Sequence, residues 1–177
     1  MQSSQPINTA RLNFWLFLAG FATFALHEAA HFAAGWALSY DMTARLNGVS
    51  SSTPALPIHK AIIDAAGPAV TVAQAVVAFI LLRRFKLKVA FAFLYFAAFM
   101  RVLATGVSAF NLNDEARLSL YLGLGTWTLP VAVSIGLAWL AWRGSKALAL
   151  TRKQHALCYI TASITVALIV GLDRLLF

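Results

Sequence analysis

The chain is poor in charged residues. Asp, Glu, Lys and Arg make up 11% of its 177 residues, whereas ordinary soluble proteins carry about 25%. Hydrophobic residues reach 60%, and the mean hydropathy is +0.76. This composition excludes a soluble globular domain, because one small core could not bury so much apolar surface.

Cysteine is nearly absent too, since Cys158 is the only one. A lone cysteine excludes an intramolecular disulfide, and within an apolar segment it is typical of a small packing residue. The sequence also lacks internal repeats, which many transporters possess.

Long apolar segments are what the chain has in abundance. Five are long enough to cross a bilayer as helices, which takes about 17–25 residues: residues 12–38, 61–82, 89–110, 118–142 and 156–176. The first is longer than a cleavable signal segment, whose apolar part is about 7–15 residues. We therefore predict an all-α, polytopic membrane helix bundle of about five transmembrane helices, with residues 1–177 as a single integral membrane domain. Asn47-Gly48 predicts a small β-hairpin after the first helix.

Basic residues outnumber acidic ones by 14 to 6. We expect no nucleic-acid partner, because no soluble fold would present these cations. The segment 83–88 is typical of contact with anionic lipid. Most of the basic residues lie in alternate connections, and the positive-inside rule then places the N-terminus in the cytoplasm.

Three polar residues interrupt the first apolar segment: His27, Glu28 and His31. Residues four apart share a helix face, so both imidazoles can bind one metal ion. The glutamate between them can then take a proton from bound water, as in zinc sites of the H-E-x-x-H type. Ionisable residues at membrane depth are costly and by default functional. The alternative is plain hydrogen bonding between helices.

A catalytic zinc site needs a third protein ligand. Asp114 and Glu115 are candidates, because they lie in a short polar segment between two apolar ones. That segment also fits a surface turn in which both carboxylates are solvated or pair with Arg117. The further candidates are His59, His155, Asp41, Asp64 and Asp173.

These residues resemble the motifs of the site-2 protease family of intramembrane zinc metallopeptidases. His27-Glu28-Ala29-Ala30-His31 matches its H-E-x-x-H, and Ala66-Gly67-Pro68 matches a motif of its next helix. Asn111 and Asp114 resemble a shortened form of its Asn-x-x-Pro-x-x-Pro-x-Asp-Gly region.

The resemblance covers about residues 14–124. Thr71 stands where the family often has Asn, Glu115 replaces a Gly, and two prolines before the aspartate are missing. We interpret Gly67 and Pro68 as scaffold residues, because a proline near a helix start is tolerated and a glycine permits close helix packing.

The resemblance implies a zinc metalloprotease with one Zn²⁺, whose ligands are His27, His31 and Asp114, with Glu115 as the alternative third ligand. Glu28 would be the general base. Asn111 or Asn113 would polarise the scissile carbonyl, although either amide could instead serve hydrogen bonding between helices.

The catalytic core would span about residues 12–124, with accessory helices over 125–177. The expected partners are a membrane protein or peptide substrate and the lipid bilayer, and the expected location is a bacterial-type inner (plasma) membrane.

Two other functions are open on the residues alone. The chain could be a non-proteolytic membrane protein that keeps zinc for structure or acts as a binding partner. It could also be a metal or ion transporter, which the lack of repeats disfavours.

Overall fold

The computed structural model describes residues 8–177, which form six helices and one antiparallel β-hairpin. The elements are α1 (Thr9–Ala37), β1 (Met42–Arg45), β2 (Gly48–Ser51), α2 (Pro57–Phe85), α3 (Ala90–Val107), α4 (Asp114–Tyr121), α5 (Thr128–Ala147) and α6 (Arg152–Leu176). Within these residues, α1, α2, α3 and α6 are long and apolar enough to cross a membrane. The predicted multi-pass helix bundle is confirmed at this level.

The expectation of five spans is wrong in its fourth member. Residues 118–142 are divided between α4 and α5. Gly123 and Gly125 lie between them with φ values of 70° and 78°, a left-handed backbone that glycine adopts without steric cost. Pro130 then stands in the first turn of α5, where its missing N–H breaks no helical hydrogen bond. The third span is also shorter than expected, since α3 ends at Val107 and helix resumes only at Asp114.

The position of Pro68 differs from the expectation as well. Pro57 begins α2, so Pro68 lies inside the helix rather than near its start. A proline there removes one helical hydrogen bond and tends to bend the helix.

The predicted hairpin is confirmed, with one difference in its turn. Arg45 pairs with Gly48, so Leu46 and Asn47 form the loop and Gly48 opens β2. The hairpin packs on the end of α1, where a side chain at Gly35 would collide with Met42.

The centre of the bundle is α3, which packs against α1, α2 and α5. Its side chains at Phe91, Leu94, Phe96 and Ala97 are fully buried. In a bilayer the lipid tails are as apolar as these residues, so close packing rather than water exclusion stabilises the arrangement.

Two hydrogen bonds that involve α6, one with α1 and one with the hairpin that follows α1, define the ends of the bundle. Gln154 Nε2 donates to Thr9 Oγ1 at 3.1 Å where α6 and α1 begin. The backbone N–H of Asn47, just beyond α1, donates to Asp173 Oδ1 near the end of α6 at 3.2 Å. Helices α1 and α6 therefore run parallel, with both N-termini at one end.

The two ends differ in charge. We call the end with the N-termini of α1 and α6 the basic end, and the opposite half, with the hairpin and α4, the site end. Among the described residues, the basic end carries no acidic side chain and nine basic ones: Arg11, Arg83, Arg84, Lys86, Lys88, Arg143, Lys146, Arg152 and Lys153. The site end carries all six acidic residues: Glu28, Asp41, Asp64, Asp114, Glu115 and Asp173.

Candidate metal centre

The two histidines of α1 and the first residue of α4 meet inside the bundle. His27 Nε2 lies 3.2 Å from Asp114 Oδ2, His31 Nε2 lies 3.4 Å from the same oxygen, and the two Nε2 atoms are 3.1 Å apart. Both histidines are buried and Asp114 is partly buried. These three residues form a group that could hold a metal ion.

Hydrogen bonds to α2 fix the orientation of both imidazole rings. The Thr71 hydroxyl donates to the Gly67 carbonyl at 3.0 Å, so the Nδ1–H of His27 is the donor in its 3.0 Å contact with Thr71 Oγ1. The Nδ1–H of His31 donates to the Ile63 carbonyl at 2.6 Å. When both rings are neutral, each Nε2 therefore carries a lone pair and no proton.

The spacing of the three atoms fits zinc. Tetrahedral Zn²⁺ with bonds of about 2.0–2.2 Å to nitrogen and oxygen holds its ligand atoms about 3.3–3.5 Å apart. The observed separations of 3.1, 3.2 and 3.4 Å are close to this. Two lone pairs and a carboxylate oxygen repel one another at such distances, and a cation among them removes that repulsion.

The Gly67 backbone lies directly against the two rings. A Cβ there would collide with His31 Nε2 and with the His27 ring. The interpretation of Gly67 as a residue for close helix packing is thus confirmed, and the group it makes room for is the histidine pair.

Asp114 is held in place from two sides. Asn113 caps α4, since its Oδ1 accepts from the Ala116 N–H at 2.8 Å, and this sets Asp114 in the first turn. Arg117 Nη2 donates to Asp114 Oδ1 at 2.5 Å and to Asp64 Oδ1 at 2.9 Å. One carboxylate oxygen of Asp114 is therefore occupied by Arg117, and the other faces the histidines.

These contacts determine the charge state of Asp114. Its Oδ1 accepts from the Arg117 guanidinium, and this adjacent cation favours the ionised carboxylate. The ionised form is the one that a metal ligand takes.

Glu115, the alternative third ligand, lies outside the group. Its Oε1 accepts from Arg101 Nη1 at 2.9 Å, and both side chains are only 3% exposed. Arg101 Nη1 is also 3.9 Å from Asp114 Oδ2. This partner of Arg101 cannot be identified from the sequence, although a cation in the middle of an apolar helix indicates that a buried acidic group lies nearby.

The two asparagines occupy different positions. The Nδ2 atom of Asn113 is buried without a partner in the described part of the chain, whereas Asn111 is exposed. Of the two, Asn113 is the one adjacent to a ligand residue inside the bundle.

The remaining candidate ligands lie elsewhere. His59 contacts the Tyr40 hydroxyl, Asp64 binds Arg117 and Lys60, and Asp173 accepts from Asn47. Asp41 and His155 are likewise not members of the group. The positioning roles of Thr71, Asp64 and Arg117 were not predicted from the sequence.

Glu28 lines a cavity of about 500 Å³ between α1, the hairpin and α6. Other lining residues include Phe32 of α1, Arg45 and Leu46 of the hairpin, and Ile169 of α6. No described residue forms a hydrogen bond or ion pair with the Glu28 carboxylate, and the residue as a whole is 9% exposed. The glutamate of the motif thus lies between the two histidines in the sequence and lines an open space, whose lining does not include His27, His31 or Asp114.

Compared with known protein families, curated proteins and solved structures, the chain matches none of them.

Proposed function

We propose that the chain is an intramembrane zinc metalloprotease that hydrolyses a peptide bond of a membrane-embedded substrate. The observation that carries the proposal is the triangle of His27 Nε2, His31 Nε2 and Asp114 Oδ2, formed next to an uncompensated glutamate that borders a cavity. The motif resemblance to site-2 proteases supports the same activity.

The number of ligands favours catalysis over a structural metal. Structural zinc sites in proteins use four protein ligands, whereas catalytic ones use three and leave a position for water or substrate. Among the described residues, three side chains form the group. The absence of a fourth protein ligand in this group argues against the alternative in which zinc only stabilises the fold.

In the proposed reaction, zinc would be held by His27, His31 and Asp114. When bound, it would supply a water ligand with a pKa near 7 and polarise the substrate carbonyl. Glu28 accepts the proton of the attacking water and returns it to the leaving amine nitrogen, so the peptide C–N bond breaks while the C–O bond forms.

The surrounding side chains have supporting roles. Thr71 and the Ile63 carbonyl keep both Nε2 atoms unprotonated, and Arg117 keeps one Asp114 oxygen turned to the histidines. Hydrogen bonds from neighbouring residues to a metal ligand orient that ligand and raise its basicity. The Nδ2 atom of Asn113, buried without a partner in the described chain, is available to donate to a substrate carbonyl.

The location of Glu28 favours a substrate that has left its helical conformation. A transmembrane helix hides its carbonyls in internal hydrogen bonds, so it must unwind before one of them can be attacked. The cavity beside the hairpin accommodates a short unwound segment next to Glu28.

The test is cleavage of a transmembrane peptide in proteoliposomes that contain the full chain. We expect cleavage that stops on chelation and returns when one equivalent of zinc is added. Asp41→Asn, a change at an exposed acidic residue outside the group, is the control and should leave the rate unchanged. Zinc binding without cleavage of any transmembrane peptide would instead support the non-proteolytic alternative.

A further inference from the structure

A second cavity lies between α3, α5 and α6 and shares no residue with the metal group. Its volume is about 610 Å³, and its wall combines large apolar side chains with the small residues Ala98, Gly106, Ala138 and Ala141. Small residues on adjacent helices normally allow those helices to pack closely. Here they border an apolar groove along the surface of the bundle.

The polar groups of this groove are gathered at one end. They are Tyr95, Ser145, His155 and Tyr159. Ser145 lies in the last turn of α5 and His155 in the first turn of α6, so this is the basic end of the bundle. The groove is thus amphipathic along its length, like a lipid.

Basic side chains stand beside the polar end of the groove. Lys146 follows Ser145 and lies four residues after Trp142, and Arg152 lies three residues before His155, so each shares a helix face with a lining residue. Neither Lys146 nor Arg152 forms an ion pair with any other described residue. Two uncompensated cations here favour an anionic headgroup.

We propose that this groove is a binding site for one anionic phospholipid, with an acyl chain along α3 and α5 and the phosphate at Lys146 and Arg152. From Tyr95 to Val107 the groove runs about 18 Å along α3, which covers the hydrocarbon of one leaflet, about 15 Å. The site is independent of the metal centre and of the proposed protease activity.

Charge complementarity selects the occupant. A second copy of this chain in the same orientation would bring only further cations to this end, because the basic end carries no acidic side chain among the described residues. The phosphate of an anionic lipid complements the two cations. The groove therefore suits an anionic lipid better than a second copy of the protein.

The first experiment compares two lipids with identical acyl chains, phosphatidylglycerol and phosphatidylcholine, on the full chain in neutral detergent. Native mass spectrometry should retain about one phosphatidylglycerol per chain, and this lipid should raise the Tm more than phosphatidylcholine does. Equal retention and equal Tm shifts for the two lipids would overturn the proposal. So would an equal Tm shift with inorganic phosphate alone, since free phosphate rather than a lipid would then be the ligand.

The acyl part of the site is tested with a matched pair of glycines. A Cβ at Gly106 or at Gly136 would meet no atom within 4 Å, so a side chain fits at both positions without a clash. Only Gly106 lines the groove. Gly106→Leu should abolish retention of phosphatidylglycerol, and Gly136→Leu should preserve it. Equal retention in both variants would show that the lipid binds elsewhere.

The headgroup part is tested by charge removal. The double variant Lys146→Gln/Arg152→Gln should bind phosphatidylglycerol about 30-fold more weakly, at about one kcal/mol per basic residue. Arg83→Gln/Arg84→Gln removes the same charge from the same end but away from the groove, and its affinity should stay near that of the native chain. An equal loss of phosphatidylglycerol affinity in both double variants would show that the lipid responds only to the general surface charge, and this would contradict a defined site.

Discussion

The two ends of the bundle use ionisable residues in opposite ways. At the site end, acidic and basic side chains pair inside the bundle, as in the buried pair of Arg101 with Glu115 and the partly buried pair of Arg117 with Asp64. At the basic end, nine cations lie near helix termini with no acidic residue among them. Burying a charge is costly unless it is paired, and the end with paired charges is the one where we propose that the reaction takes place. The other end follows the ordinary rule for orientation in a membrane.

The difference also concerns the histidines. His27 and His31 are each held at Nδ1 by a hydrogen bond to α2 inside the site end, whereas His155 lines the groove at the basic end and belongs to no metal group among the described residues. Chemically identical side chains therefore have different expected roles, and this can be tested by changing one end at a time.

The largest expected effect is loss of metal. His27→Ala and Asp114→Ala each remove one of three ligands, and zinc content should fall from about one ion per chain to near zero, since a catalytic zinc needs three protein ligands. Elemental analysis of the purified protein measures this. His155→Ala is the control at the basic end and should keep its zinc. Full zinc content in Asp114→Ala would remove Asp114 from the ligand set.

A smaller effect is expected from the residues that position Asp114. Arg117→Leu should weaken zinc affinity about 10–100-fold, the usual effect of removing a residue that hydrogen-bonds to a metal ligand. A competition titration with a zinc-binding dye would measure the change. Lys60→Gln alters an exposed partner of the same Asp64 and should change the affinity little. Similar affinities for native protein and Arg117→Leu would show that α4 alone orients Asp114.

Gly67→Ala should displace the two imidazole rings from their positions in the site. The added methyl group collides with both imidazole rings, and overpacking of this kind costs about 1–3 kcal/mol. We expect a lower Tm together with weaker zinc binding. Gly136→Ala has open space around its Cβ and should be neutral or slightly stabilising. A Tm equal to that of the native protein would mean that the rings can move away from α2 at no cost.

The smallest effect is expected at the basic end. Arg83→Gln/Arg84→Gln should change the free energy of unfolding by less than about 0.5 kcal/mol, as surface substitutions usually do, and should leave zinc content unchanged. Chemical denaturation in detergent, together with elemental analysis, checks both values. A loss of zinc in this double variant would show that the basic end affects the metal site, and would contradict the separate roles of the two ends.

Much of this arrangement could be predicted from the sequence. Apolar length alone gave α1, α2, α3 and α6 with small errors at their ends, and the spacing of His27 and His31 put both rings on one helix face. Only the family resemblance singles out Asp114 as the third ligand, and the structure brings its carboxylate to the two histidines.

The rest depended on contacts between distant segments. Hydropathy could not locate the break between α4 and α5, because Gly123 and Gly125 act through backbone conformation within an apolar run. The contacts of Arg117 with Asp64 and of His27 with Thr71 join residues 53 and 44 positions apart. No local pattern encodes such pairs, and a charge or hydroxyl within an apolar segment indicates only that some partner exists.

The most direct test of the central claim compares the native chain with Glu28→Gln in the same proteoliposomes at equal zinc content. Removing the proton acceptor should lower the rate of cleavage of a transmembrane peptide about 10²–10⁴-fold, while about one zinc per chain remains bound. Cleavage by Glu28→Gln at the native rate would contradict the account, because peptide hydrolysis would then proceed without Glu28 as the general base.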